Sequence, residues 1–410
     1  MNDHDSRVLA RASQAYQAVA ELPVLPEIRT SGLWHEHIRK VLSDACKVST
    51  LAELVRDVTA NDRFSLPRKN DDPEFNDIIR KYLAWFERQG LPLSSWDTLL
   101  QESHLADPTV TVEREGRCLS TVFLYHLATA HRVATALGGR NTRARILELG
   151  GGHGGLARVA KLYMPETSHF ILDLPESLWF SYCFVSANFP EARTIYCTTV
   201  DEVKTAEGYD FVFVPTALIS GLFGSTFDMF INTASLGEMT DAAAGRYMRL
   251  VHEDLKVRFL YSNNRYGQLR HTARYQGTRL ATADMAKAPL RLDPFWRIQL
   301  WNLQLDNFVL YEPHAPPSVE VLAERVPSKL LPEGYRKELS ERLLREANLM
   351  PQLDAHWEFL VWESVRLHPS VANLVPYLEF LARMGYVEFH SYRHDLERIS
   401  GHRVLGPGET

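Results

Sequence analysis

Glu148, Gly150, Gly152 and Gly154 alternate through Glu148-Leu-Gly-Gly-Gly-His-Gly-Gly155, and Asp173 follows about one strand-helix-strand unit later. Glycines in this density let backbone come close to a ligand without a Cβ in the way. Ile146, Leu147 and Leu149 before them read as the end of a buried strand, and Leu156 to Tyr163 after them reads as a helix. A strand, a glycine turn and a helix start leave backbone N–H groups and the positive end of a helix facing the loop. Such a loop cradles a nucleotide-type cofactor.

Two cofactor chemistries fit the spacing. Gly150-x-Gly152-x-x-Gly155 satisfies the dinucleotide fingerprint, with Asp173 placed to hold a ribose. Glu148-x-Gly150-x-Gly152-x-Gly154 equally satisfies a pattern associated with S-adenosylmethionine (SAM). A dinucleotide brings a pyrophosphate, which is disfavoured beside a carboxylate. SAM brings a sulfonium and an ammonium, for which Glu148 at the strand tip is favourable. Charge therefore favours SAM.

The elements that must position these residues are alternating strands and helices. Apolar, β-rich runs lie at Ser168–Asp173, Ala192–Cys197, Tyr209–Pro215, Phe227–Ser235 and Arg258–Asn264, with helical patterns at 174–187 and 241–255. This alternation predicts an α/β fold, a Rossmann-like, mostly parallel sheet with helices on both faces. Ligands of such sheets bind at the carboxyl ends of the strands. Each strand here ends in polar groups: Glu148, Asp173, Asn232 to Ser235, and Asn263-Asn264. Residues 1–140 read as a mainly helical region, 141–312 as the cofactor-binding domain, and 313–410 as a second mainly helical region. The flanking regions are expected to form a lid or a homodimer surface. In the first, 119–137 reads as one long amphipathic helix ended by Gly138-Gly139. Residues 265–300 are basic and aromatic, with Arg265, Arg270, Arg274 and Arg279 among them. They suit a substrate loop, or equally a solvated surface.

Composition narrows the partners. Lys+Arg 45 against Asp+Glu 51 gives a net charge of −6, which argues against a nucleic-acid binder. There is no apolar run that would span a bilayer, and Met-Asn-Asp-His-Asp is unlike a signal peptide, so a cytoplasmic protein is expected. The four cysteines lack CxxC spacing and read as reduced, packed thiols. No metal is expected: His35 and His37 at i and i+2 cannot share a helical face, and His390 with His394 lacks a third ligand.

Three segments together, Ile146–Gly155, Ile171-Leu-Asp-Leu-Pro-Glu-Ser-Leu178 and Phe227-Asp-Met-Phe-Ile-Asn-Thr-Ala-Ser-Leu-Gly-Glu-Met239, resemble the sugar O-methyltransferases of the class I SAM-dependent superfamily. The resemblance covers roughly residues 113–265. It implies that Glu148, Gly150, Gly152 and Gly154 surround the amino-acid part of SAM, that Asp173 accepts from the ribose hydroxyls with Leu174 beside it, and that a small-molecule sugar hydroxyl is methylated. Related small-molecule O-methyltransferases carry a His-Asp pair where this chain has Ser235 to Glu238, so Glu238 becomes the first candidate base, with His153 second. Asn232 and Ser235 would orient SAM or water, and Asn263, Asn264 and Arg265 would contact substrate. A nicotinamide-dependent oxidoreductase and a catalytically silent SAM-fold binding protein are the competing readings.

Overall fold

The protein was analysed as a computed structural model, which describes residues 3–24, 42, 48–60, 68–236, 239, 241–265, 296–304, 318–325, 333–349 and scattered positions between 361 and 376. Glu238, residues 266–295 of the basic stretch, His35, His37, Cys46, His390 and His394 lie outside the described residues.

In chain order the elements are α1 (Asp3–Val19), α2 (Leu51–Ala60), α3 (Phe75–Arg88), β1 (Val112–Arg114), β2 (Arg117–Leu119), α4 (Thr121–Leu137), β3 (Arg145–Leu149), α5 (Gly155–Tyr163), β4 (Ser168–Asp173), α6 (Pro175–Asn188), β5 (Thr194–Tyr196), α7 (Val200–Lys204), β6 (Phe211–Pro215), β7 (Thr226–Thr233), α8 (Asp241–Arg249), β8 (Lys256–Arg265), β9 (Trp296–Gln304), β10 (Ser318–Arg325) and α9 (Glu333–Ala347). Strands β3 to β10 form one sheet in the order β5-β6-β4-β3-β7-β8-β10-β9. Pairing from β5 across to β8 is parallel; β10 runs antiparallel to both β8 and β9. The chain moves outward from β3 to β4 on one side and later returns to β7 on the other. The strand order thus reverses beside β3, which opens a crevice at its carboxyl end.

Period-two alternation sends neighbouring residues to opposite faces. Leu147 and Leu149 belong to a core shared with α1, α2, α6 and α8, whereas Ile146, Met229, Ile231, Phe259 and Tyr261 belong to a second core with α3, α4 and α5. The expected α/β sheet with helices on both faces is what the chain forms.

Several expectations change. The helix read from 119 begins at Thr121, because Ser120 caps it by accepting from the Phe123 N–H at 2.9 Å. Leu119 instead ends a hairpin whose turn places Glu115 and Gly116 at φ 49° and 71°. The boundary drawn at 312 falls inside the sheet, since β10 completes it beyond that point. Helices α1 and α2 pack onto the sheet: Val8, Ala12, Leu54 and Val58 share the core of β3 and α6. His252 accepts at Nδ1 from the Trp296 Nε1–H at 2.9 Å. Cys183 and Cys197 are buried and Cys118 is half-buried, and none of the three is in a disulfide. No helix among the described residues is long and apolar enough to cross a membrane.

Candidate cofactor and acceptor site

The glycine loop turns because its glycines take a conformation that side chains resist. Gly150, Gly152 and Gly154 have φ of 74°, 56° and 87°. At Gly150 a Cβ would also meet the Ser235 hydroxyl at 2.3 Å. Gly154 caps α5, whose first N–H groups therefore face the loop. The Ser181 hydroxyl of α6 donates to the Gly152 carbonyl at 2.6 Å and fixes the crest of the turn.

Asp173 ends β4 beside that crest and is half-buried. Its Oδ2 accepts from the Gly152 N–H at 3.0 Å and its Oδ1 from the Leu174 N–H at 2.7 Å. Desolvation pushes its carboxyl up to about 7, against the lowering effect of those two N–H groups, and the nearby Glu148 carboxylate adds to the rise. Leu174 caps α6 in extended backbone, with Pro175 at the first helical position. Asp173 and the loop thus form one rigid unit.

Glu148 lies directly beneath the loop. A Cβ on Gly151 would sit 3.4 Å from its carboxylate carbon. Glu148 as a whole residue is 1% exposed, and its Oε2 lies 2.8 Å from Nε2 of His169, itself fully buried. Sequence reasoning missed His169, although a histidine within the apolar run of β4 is the signal that could have found it.

Asn232 does not offer its amide to a ligand. It is fully buried, donating from Nδ2 to the Leu149 carbonyl at 2.8 Å and to the Ser235 hydroxyl at 2.5 Å. Its Oδ1 accepts from the Leu236 N–H at 3.2 Å and from Asn264 Nδ2 at 2.8 Å. Asn264 also donates to the Ser262 hydroxyl at 2.7 Å, so both asparagines clasp the ends of β3, β7 and β8 together. Asn263 is buried, and its carbonyl accepts from the Ala234 N–H at 2.8 Å. That bond holds Ala234 at φ 59°, a strained value for a residue with a Cβ. Arg265 closes β8 opposite Ser318.

His153 turns to another place. With His126, Glu102, Ser120, Arg158 and Phe184 it lines a cavity of about 20 Å³, room for a water. Burial, reinforced by the Arg158 charge, lowers His153 to about 4, and burial with the His153 and Arg158 charges lowers His126 to about 3. Arg158 is held in turn by the Asn188 side chain at 2.9 Å and the Gln101 carbonyl at 2.9 Å, with Glu102 at 3.6 Å. Among the described residues no group of three or more His, Cys, Asp and Glu is arranged to hold a metal ion.

No family model matches the chain, and no curated protein does. Among solved structures it resembles magnesium protoporphyrin IX methyltransferase (ChlM) from Synechocystis with bound S-adenosyl-homocysteine (SAH), at 15% identity and a TM-score of 0.32, over 61% of this chain and 99% of that one. TrmK of M. capricolum in complex with SAH matches at 11% identity and 0.29, over 58% and 94%. The pyocyanin biosynthetic protein PhzM matches at 15% and 0.30, over 50% of this chain and 56% of that one. Similarity at this level carries no residue role and no activity over to this chain.

Proposed function

We propose that the chain is a SAM-dependent O-methyltransferase that methylates a hydroxyl of a sugar or sugar-containing small molecule. The observation that carries the reading is Asp173, half-buried beside a left-handed glycine loop, with its carboxylate oriented by the N–H groups of Gly152 and Leu174. A carboxylate so fixed can accept from both vicinal hydroxyls of a ribose. Beneath the loop the Glu148 carboxylate suits a cationic methionine portion and opposes a pyrophosphate.

When bound, SAM supplies a methyl group on a sulfonium, which an acceptor oxygen takes in line as the carbon–sulfur bond breaks and a thioether leaves. The residues of this chain contribute alignment, in which a rigid loop and a clasped strand edge hold the two reactants at one carboxyl edge. A sugar hydroxyl needs a base for its proton, and Glu238, on the segment following β7, is the candidate.

Isothermal titration with SAH and with NAD tests the reading. Binding of SAH, weakened about tenfold or more in Asp173→Asn, is expected. Binding of NAD with none of SAH would replace the methyltransferase by an oxidoreductase.

A further inference from the structure

The carboxyl edge carries a second polar group of side chains that the glycine loop does not use. Thr233 of β7 lies in register with Asn263 of β8, and Asn263 with Glu320 of β10. Residues two positions away on the same face, Ile231, Tyr261 and Leu322, are packed in the core beneath α4. The row Thr233–Asn263–Glu320 is therefore where an apolar sheet face becomes polar, at the ligand end of the strands.

Tyr125 lies one turn before Thr129 on α4, whose hydroxyl is 3.5 Å from that of Tyr261, and its own hydroxyl is directed toward the Thr233 side chain. The charges of both Glu320 and Glu148 reach its phenol. Tyr125 and Thr233 are half-buried, as are Gly150, Gly151 and Asp173 of the glycine loop and the end of β4. Behind them Glu320 is 1% exposed; it accepts from the Tyr261 hydroxyl at 2.9 Å and pairs with Arg132 Nε at 2.5 Å. Arg132 in turn covers the Trp85 ring at 5.0 Å.

Stability alone does not account for this arrangement. A buried ion pair is often no better than apolar residues of the same volume, whereas it does fix the orientation of what it touches. Burial and the two carboxylates push the phenol of Tyr125 well up, so its hydroxyl keeps its proton and acts as a donor. Arg132 is matched by Glu320, so among the described residues this pair offers no net positive charge to a phosphate or carboxylate group.

We propose that Tyr125 and Thr233 form the acceptor subsite, which takes a neutral, hydroxyl-bearing ring by hydrogen bonding, with Glu320 and Arg132 as positioning residues. The inference rests on the methyltransferase reading above and specifies its acceptor side.

Saturation-transfer NMR with SAH at saturation tests it, using methyl β-glucopyranoside and methyl α-rhamnopyranoside as probes and glucose 6-phosphate and catechol as comparisons. Neutral glycosides are expected to give the strongest transfer. Tyr125→Phe should weaken that transfer about fivefold or more, with SAH affinity and melting temperature held. Glu320→Gln should weaken it also, and Glu320→Asp should restore part of it, a recovery that a purely structural role would not give. Unchanged glycoside transfer in Tyr125→Phe, or transfer confined to glucose 6-phosphate or catechol, overturns the proposal. So does SAH binding with no glycoside transfer. Absence of SAH binding to the wild-type chain is a different failure, that of the methyltransferase reading itself.

Discussion

Oε2 of Glu148 lies 2.8 Å from Nε2 of His169, with the two side chains 2% and 0% exposed. The acid that opens the glycine motif therefore belongs to a buried pair linking β3 to β4, and acts on the loop from below. His169 Nδ1 has no hydrogen-bond partner. The ring is accommodated as the Nε2–H tautomer, since a proton on Nδ1 would be a buried donor with no acceptor.

Replacing His169 by Phe would leave a buried carboxylate without its donor. The expected loss is about 3 kcal/mol, read from urea unfolding, against a smaller loss for His169→Gln, which can still donate. Equal stability of the two variants would show that the pair contributes little.

Gly150 meets two constraints at once, a φ of 74° and the Ser235 hydroxyl 2.3 Å from any Cβ. Gly150→Ala should cost about 2–4 kcal/mol and abolish SAH binding. The double variant Gly150→Ala/Ser235→Gly removes the clash and keeps the backbone strain, so it should recover only part of the stability. Full recovery would assign the whole effect to Ser235.

Asn232 and Gly150 differ in how far the sequence disclosed them. The glycine loop and Asp173 were legible because glycine spacing, period-two apolar runs and strand-end acids are local signals. Asn232 was legible as a strand-end polar residue, but its role was not: its partners come from 149, 235, 236 and 264 and meet only when β3, β7 and β8 align. The same holds for Glu320, whose partners Arg132 and Tyr261 are remote in sequence. The place of β10 in the sheet depends on pairing across non-adjacent strands, which no local pattern encodes. The apolar spacing of Leu119 continues the face of the following helix, but the Glu115-Gly116 turn places it in a hairpin strand.

Because Asn232 is a clasp, Asn232→Ala should lower the melting temperature before it alters cofactor recognition. Four hydrogen bonds of a fully buried amide predict a loss of about 2–4 kcal/mol. SAH affinity of the remaining folded protein should stay within about threefold. A stable Asn232→Ala protein with no SAH affinity would instead make Asn232 a ligand contact.

Asp173 gives SAH binding a pH dependence. Its carboxyl is raised to about 7, and only the ionised form accepts from two ribose hydroxyls. A ligand that bonds the carboxylate lowers that value, so affinity should rise with pH through about 7 and level off above it, by at most about tenfold per unit. For the ligand-free fold the sign is opposite. Between the ordinary carboxyl value of 3.8 and about 7 the folded state holds a proton the unfolded chain has lost, so this group's contribution to stability declines as pH rises through that window. Titrations of wild type and Asp173→Asn from pH 6 to 8.5 check the first point, and a flat wild-type profile would refute it.

His126 and His153 impose the contrary trend at lower pH. Burial holds them at about 3 and about 4, while unfolded imidazoles take protons near 6.5. Between 6.5 and 4 the unfolded chain therefore binds protons that the folded state refuses, and stability falls as pH falls through that range. Each buried ring contributes a slope of up to about 1.4 kcal/mol per pH unit. The groups facing them reinforce the effect: Arg158 is a neighbouring cation, and Glu102, which could offset it, already accepts from the Ser120 hydroxyl at 2.5 Å and the Ser103 N–H at 2.7 Å. Thermal melts between pH 7.5 and 5 should show a steep decline for wild type and a shallower one for His126→Phe, which fills a similar volume without a titrating nitrogen. Since a Cβ at Gly155 would meet both rings at 2.7 Å, the same acidification should loosen the start of α5. Parallel slopes for wild type and variant would show that the fold does not keep His126 neutral.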